Sequence, residues 1–135
     1  MRVDFYHLTT TPVERALPQI AEKAYGAGKA LAVVADDDAL LAQLDEALWS
    51  FRADSFLPHG RSGDQPILLC APDQARDHAF IALADGVWRD TALAHERAFY
   101  FFDSTSIEGA RAAWRGLAEA AAVERHYWKQ DEEGR

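Results

Sequence analysis

The sequence predicts an α/β domain of three layers, helix–sheet–helix, around a mostly parallel sheet. Three observations predict it. Short apolar runs (Val3–Leu8, Ala30–Ala35, Pro66–Ala71, Ala79–Ala84 and Ala98–Asp103) recur along the chain, several separated by segments with helical spacing. Runs such as ALAVVA and PILLCA are apolar throughout rather than alternating, as strands buried on both faces are, and strands interleaved with helices make parallel sheets. The length of 135 residues, with 49% apolar and 27% charged residues, suits one globular domain with a sizeable core.

Val3–Leu8 (VDFYHL) is aromatic and β-branched and closes at the Thr9–Thr11 turn, so it reads as the first strand. Thr11, Pro12 and Glu14 then make a helix start, with Thr as the cap, Pro at the first position and Glu three beyond the cap. Val13, Leu17, Ile20, Ala21 and Ala24 supply its buried stripe, and Gly26 and Gly28 close it. Pro18 predicts a kink or a restart, because an interior proline removes a hydrogen bond and crowds the preceding turn. Ala30–Ala35 is the second strand. Asp36–Asp38 place negative charge at the N-terminus of a helix over 39–51, on which Leu40, Leu41, Leu44 and Leu48 recur. Leu44–Gly60 (LDEALWSFRADSFLPHG) ends that helix and passes into a loop unusually rich in large apolar residues. Gly60–Gln65 is polar and glycine-rich. Pro66–Ala71 and Ala79–Ala84 are strands, Asp85–Glu96 fits a short helix or an irregular crossing, and Ala98–Asp103 is a further strand. Ser104 or Ser106 caps a last helix to about Ala122, and Arg125–Lys129 has strand character. The domain is expected to span residues 1–130, with 131–135 a charged tail that frays.

The formal net charge of −8 disfavours broad contact with nucleic-acid phosphates, so tight direct DNA binding is not expected. No apolar run approaches the roughly 18–20 residues that cross a bilayer, and no secretory leader opens the chain, so a cytoplasmic location without a membrane is expected. Cys70 is the single cysteine and lies in an apolar run, as a buried thiol does.

Catalytic apparatus is not evident. Gly26-Ala27-Gly28-Lys29 imitates a phosphate loop, but Lys23 stands where the motif needs glycine and Ala30 where it needs Ser or Thr. Asp36, Asp37 and Asp38 are explained by the helix N-terminus without a metal. None of His7, His59, His78, His95 and His126 has metal-ligand spacing, so no cofactor and no metal are called. An alternative is a small nucleotide-dependent enzyme on a Rossmann-like scaffold. It would need a glycine-rich first strand-to-helix turn, where Thr9-Thr10-Thr11-Pro12 stands.

Two segments point to protein partners. Trp49, Phe56, Pro58 and His59 concentrate bulky groups in loop sequence, and exposed aromatics commonly anchor interfaces. On the last helix Ile107, Arg111, Trp114, Arg115 and Ala118 share one face by i, i+3, i+4 spacing. An apolar floor with a cationic rim suits an acidic peptide ending in a hydrophobic residue, because arginine binds a carboxylate with two parallel hydrogen bonds.

The LDEALW helix end followed by Ser55, Phe56, Pro58 and His59 resembles the signature of the chi subunit of bacterial DNA polymerase III, a clamp-loader accessory protein. The likeness extends more weakly from VDFYHL to the YWK of 127–129. It implies a Rossmann-like fold and a non-catalytic adaptor of DNA replication, a monomer or a heterodimer with its partner. The partners implied are the psi subunit, held around Trp49, Phe56, Pro58 and His59, and the acidic C-terminal tail of single-stranded DNA-binding protein. Arg111, Trp114 and Arg115 match the family's tail-binding R-x-x-aromatic-basic pattern, with Ile107 where some members carry another basic residue.

Overall fold

The computed structural model describes residues 1–51 and 57–130. Among these, seven strands form one sheet: β1 (Arg2–His7), β2 (Leu31–Val34), β3 (His59–Gly60), β4 (Ile67–Cys70), β5 (Phe80–Leu83), β6 (Arg97–Phe102) and β7 (Glu124–Lys129). Their order is β3-β4-β2-β5-β6-β1-β7, and every pairing is parallel. Three α-helices serve as crossovers: α1 (Val13–Gly26), α2 (Asp38–Ser50) and α3 (Ile107–Gly116). The expected three-layer α/β architecture is present, with the sheet wholly rather than mostly parallel.

A parallel sheet needs cover on both faces because its strands cannot be closed by hairpins. Leu17, Ile20, Ala21 and Ala24 of α1 and Leu41, Leu44 and Leu48 of α2 pack on one face against Leu31, Val33, Ile67 and Leu69. Ala110 and Ala113 of α3, with Leu117 and Ala92, cover the other face over Val3, Phe5, Val34, Leu83 and Tyr100. Central β2 is fully buried along its length. Each such aliphatic side chain contributes about 1.5–3 kcal/mol by leaving water.

Several expectations need correction. Pro12 is the N-cap residue of α1, not its first turn, and Thr11 makes no cap bond; its hydroxyl instead accepts from Gln130 Nε2 at 2.5 Å. The helix runs through Pro18 without a restart, with the proline ring buried among the residues that face the sheet. The acidic start expected for α2 is present, with Asp37 as its cap, accepting from the Ala39 N–H at 2.9 Å. The last helix ends at Gly116, about six residues early. Turns over Leu117–Val123 return the chain to the start of β1, where the Glu124 N–H donates to the Met1 carbonyl at 2.9 Å. Ser106 precedes this helix without a side-chain cap bond, because its hydroxyl accepts from the Asp103 N–H at 3.1 Å. The ambiguous segment resolves as a 3-10 turn, Asp90–Ala94. Residues 52–56, which include Ser55 and Phe56, and the tail 131–135 lie outside the described residues.

Candidate functional site

Ligands of open parallel sheets sit beyond the carboxyl ends of strands, where successive crossovers leave toward opposite faces. Here β1 leads into α1 on one face and β6 into α3 on the other. Between them opens a cavity of about 500 Å³ lined by Thr9–Thr11, Asp85, Gly86 and residues 103–106. Glu14, Asp85 and Asp103 bring three carboxylates to it, and no Lys or Arg is among its described lining residues. Asp85 is committed elsewhere, to the Arg89 guanidinium at 2.7 Å. A pocket of that sign repels nucleotide phosphates, which weighs against the enzyme alternative. Among the described residues no group of three or more His, Cys, Asp or Glu side chains is placed to hold a metal ion. The Cys70 thiol is buried, and burial raises its pKa, which works against thiolate chemistry.

Two surfaces carry the predicted partner residues. At the end of α2, Trp49 is 54% exposed, and its ring meets that of His59 edge-on with centroids 4.7 Å apart. His59 lies beneath the surface, its side chain 1% exposed; Nδ1 is 2.6 Å from the Leu57 carbonyl and Nε2 is 3.2 Å from Asp45 of α2. Its ring thus fills the space between the returning loop and α2 and props up Trp49, although Nε2, close to Asp45, makes no hydrogen bond. Pro58 is half-buried and Leu57 buried.

The second surface lies where α3 runs beside β7. Trp114 is half-buried, edge-on to Phe5 at 5.1 Å and to Tyr127 at 6.4 Å. Arg111 and Arg115 stand exposed on the same helix, and Ile107 packs half-buried on the core beside them. Arg111 is paired with Glu108 at 2.8 Å, both largely in water, so the pair is weak and open to displacement by another carboxylate.

Sequence reasoning did not find the other half of this surface. The Arg125 guanidinium lies 4.2 Å above the Trp114 ring and donates to the Trp114 carbonyl at 2.7 Å. Tyr127 is 51% exposed, and its hydroxyl is 2.8 Å from His7 Nδ1. Partial burial first, then the charges of Lys129 and Arg111, lower the His7 pKa below its ordinary value. The strand alternation in RHYWK, which puts Arg125, Tyr127 and Lys129 on one side, was the available signal.

A buried carboxylate pins β7 to the sheet. Asp4 of β1 has no exposed surface, and it accepts from Arg97 Nε at 2.7 Å, Arg2 Nη2 at 3.0 Å and Trp128 Nε1 at 2.9 Å. Burial alone would raise its pKa, but these hydrogen bonds from Arg97, Trp128 and Arg2 outweigh it and hold the carboxyl below its ordinary value.

The family profile of the DNA polymerase III chi subunit, HolC, matches residues 1–124. The chain is 37% identical over 54 residues to the DNA polymerase III subunit chi of Escherichia coli K12, a match covering 40% of this chain and 37% of that protein. To the subunit chi of Pseudomonas aeruginosa it is 31% identical over 83 residues, 57% of this chain and 58% of the relative. The matches thus span about a third to three-fifths of those relatives' lengths. With the parallel sheet and the LDEALW helix end in place, the profile match over nearly the whole chain assigns this protein to the chi-subunit family of DNA polymerase III.

Proposed function

We propose that the chain is a non-catalytic adaptor of the replication machinery, joining the clamp loader to single-stranded DNA-binding protein. The α3–β7 surface grips the acidic tail of that protein: Trp114 and Ile107 take a terminal hydrophobic side chain, while Arg111 and Arg115 take the carboxylates. The observation that carries this reading is a cationic, aromatic surface on a chain whose net charge is −8. Local complementarity of that kind selects an anionic peptide without drawing in bulk nucleic acid. The clamp-loader psi subunit is held around Trp49 and Pro58, with His59 as the support beneath, and Phe56 of the intervening sequence is assigned to the same contact. Held at both ends, polymerase stays near coated template, and even a weak tail contact counts through effective concentration.

Calorimetry with a synthetic acidic peptide ending in phenylalanine tests the tail site. Charge-assisted hydrogen bonds are worth about 1.5–3 kcal/mol, so Arg111→Ala is expected to weaken binding roughly ten- to a hundredfold, with little change in Tm. Amidating the peptide's terminus reproduces much of that loss. Equal affinity of wild type, Arg111→Ala and Arg115→Ala for the free acid places the site elsewhere.

A further inference from the structure

The outer edge of β7 is open. Along this strand the Glu124 N–H donates to Met1 and the Gln130 N–H to His7, at 2.9 and 3.2 Å, both on the β1 side. Backbone directions alternate residue by residue, so Arg125, Tyr127 and Lys129 turn their N–H and C=O groups away from β1. No described strand lies beyond them. The other border of the sheet, β3, is two residues long and offers no comparable edge. Two of the residues with outward-facing amides, Arg125 and Tyr127, also aim their side chains at α3, where both meet Trp114.

We propose that β7 takes up an extended acidic peptide as an additional strand, its main chain bonded to Arg125, Tyr127 and Lys129 while its alternate side chains enter the α3 groove. This rests on the reading of that groove as an acidic-tail site and extends it: the tail is recognised by backbone as well as by side chains. Strand addition at a sheet edge is a general mode of peptide capture, with affinity from main-chain bonds and selectivity from alternate pockets. Both sides of an added strand meet an aromatic, because Tyr127 on one face and Trp128 on the other are 51% and 48% exposed.

Charge decides between a peptide and a second copy of the chain. Two β7 strands paired antiparallel about Tyr127 would set Arg125 opposite Lys129, and like charges directly opposite destabilise a ladder. An acidic strand in the same place puts carboxylates beside Arg125, Lys129 and Arg111. The edge is thus guarded against itself and open to an anionic partner.

Residue-resolved amide exchange by NMR on the full chain tests this, with a synthetic decapeptide carrying four aspartates and a C-terminal phenylalanine with free carboxylate. At saturation the amides of Arg125, Tyr127 and Lys129 should exchange at least tenfold more slowly, while Glu124, His126 and Trp128, already turned toward β1, change little. N-methylation of alternate peptide nitrogens should weaken binding tenfold or more in one register and leave the other register unaffected. If Arg111→Ala weakens binding while those three amides stay fast, edge pairing is refuted and the groove reading survives. If the three amides slow but Arg111→Ala binds as wild type does, strand addition stands and the arginine clamp falls. Protection that rises with protein concentration in the absence of peptide, with a dimer in sedimentation, assigns the edge to a second copy and overturns the proposal.

Discussion

Replacing Asp4 with asparagine tests the joint that holds β7. The side chain has no contact with water and accepts hydrogen bonds from Arg2, Arg97 and Trp128. Asn keeps one carbonyl oxygen but turns an NH₂ toward a guanidinium, so about two charge-assisted bonds of 1.5–3 kcal/mol each are lost. Part of that returns, because the Arg2 and Arg97 side chains are 35% and 30% exposed and rehydrate when released. Asp4→Asn should therefore lower stability by about 2–4 kcal/mol at pH 7, consistent with the cost of breaking a buried pair. The folded-state pKa of Asp4 is depressed, so its contribution is full above the ordinary value of 3.8 and drains as pH falls through the lower folded value. Asparagine does not titrate. Urea unfolding followed by tryptophan fluorescence should thus give a gap between the two proteins that is constant above pH 3.8 and shrinks below it. A gap that ignores pH, or one under about 0.5 kcal/mol at pH 7, would refute the buried-carboxylate account. Because the joint that holds β7 is weakened, acidic-peptide affinity should fall in the same variant.

Tyr100 gives an alkaline counterpart. Burial, reinforced by the charge on Asp85, pushes its phenol up to about 12. A raised pKa favours the folded state below the ordinary value of 10, and that stability is lost as pH climbs toward 12, by about 3 kcal/mol over the two units. Tyr100→Phe loses the 2.8 Å bond to the Gly86 carbonyl and should be about 1 kcal/mol less stable at neutral pH, yet lose less on alkalisation. Denaturation curves at neutral and high pH that run parallel would contradict this. For the partner surface, Trp49→Ala should leave Tm nearly unchanged, because the ring is 54% exposed, while weakening psi capture by about 2 kcal/mol in a pull-down titration. Unfolding in place of selective loss would put Trp49 in the fold rather than the interface.

The layers of the fold were legible because burial on two faces leaves an unmistakable record in β2 and β4, where no polar residue interrupts LAVV or ILLC. Strand β3 was not legible. Two residues carry no periodicity, and His-Gly has no strand propensity of its own; neighbouring β4 and the buried His59 ring impose the conformation. The end of α3 was misjudged because alanines past Gly116 favour helix locally, whereas the return of the chain to Met1 demands a turn. At the α3–β7 surface, i, i+3, i+4 spacing revealed Arg111, Trp114 and Arg115 from one helix. Arg125, Tyr127 and His7 belong to it through pairings across the sheet, and spacing within a single element cannot report them.

The first strand has neighbours made only late in synthesis. β1 is flanked by β6, about 95 positions along the chain, and by β7, about 120 positions along. Residues 2–7 meet no sheet partner until position 97 has been made, so RVDFYH must wait unpaired. Contact order is accordingly high at that border, and loop closure over most of the chain must precede its hydrogen bonds, which slows folding. The half of the sheet built from β2, β4 and β5 has no such delay. Nucleation there, with the β6–β1–β7 border condensing afterwards, places the open β7 edge among the last parts to acquire structure.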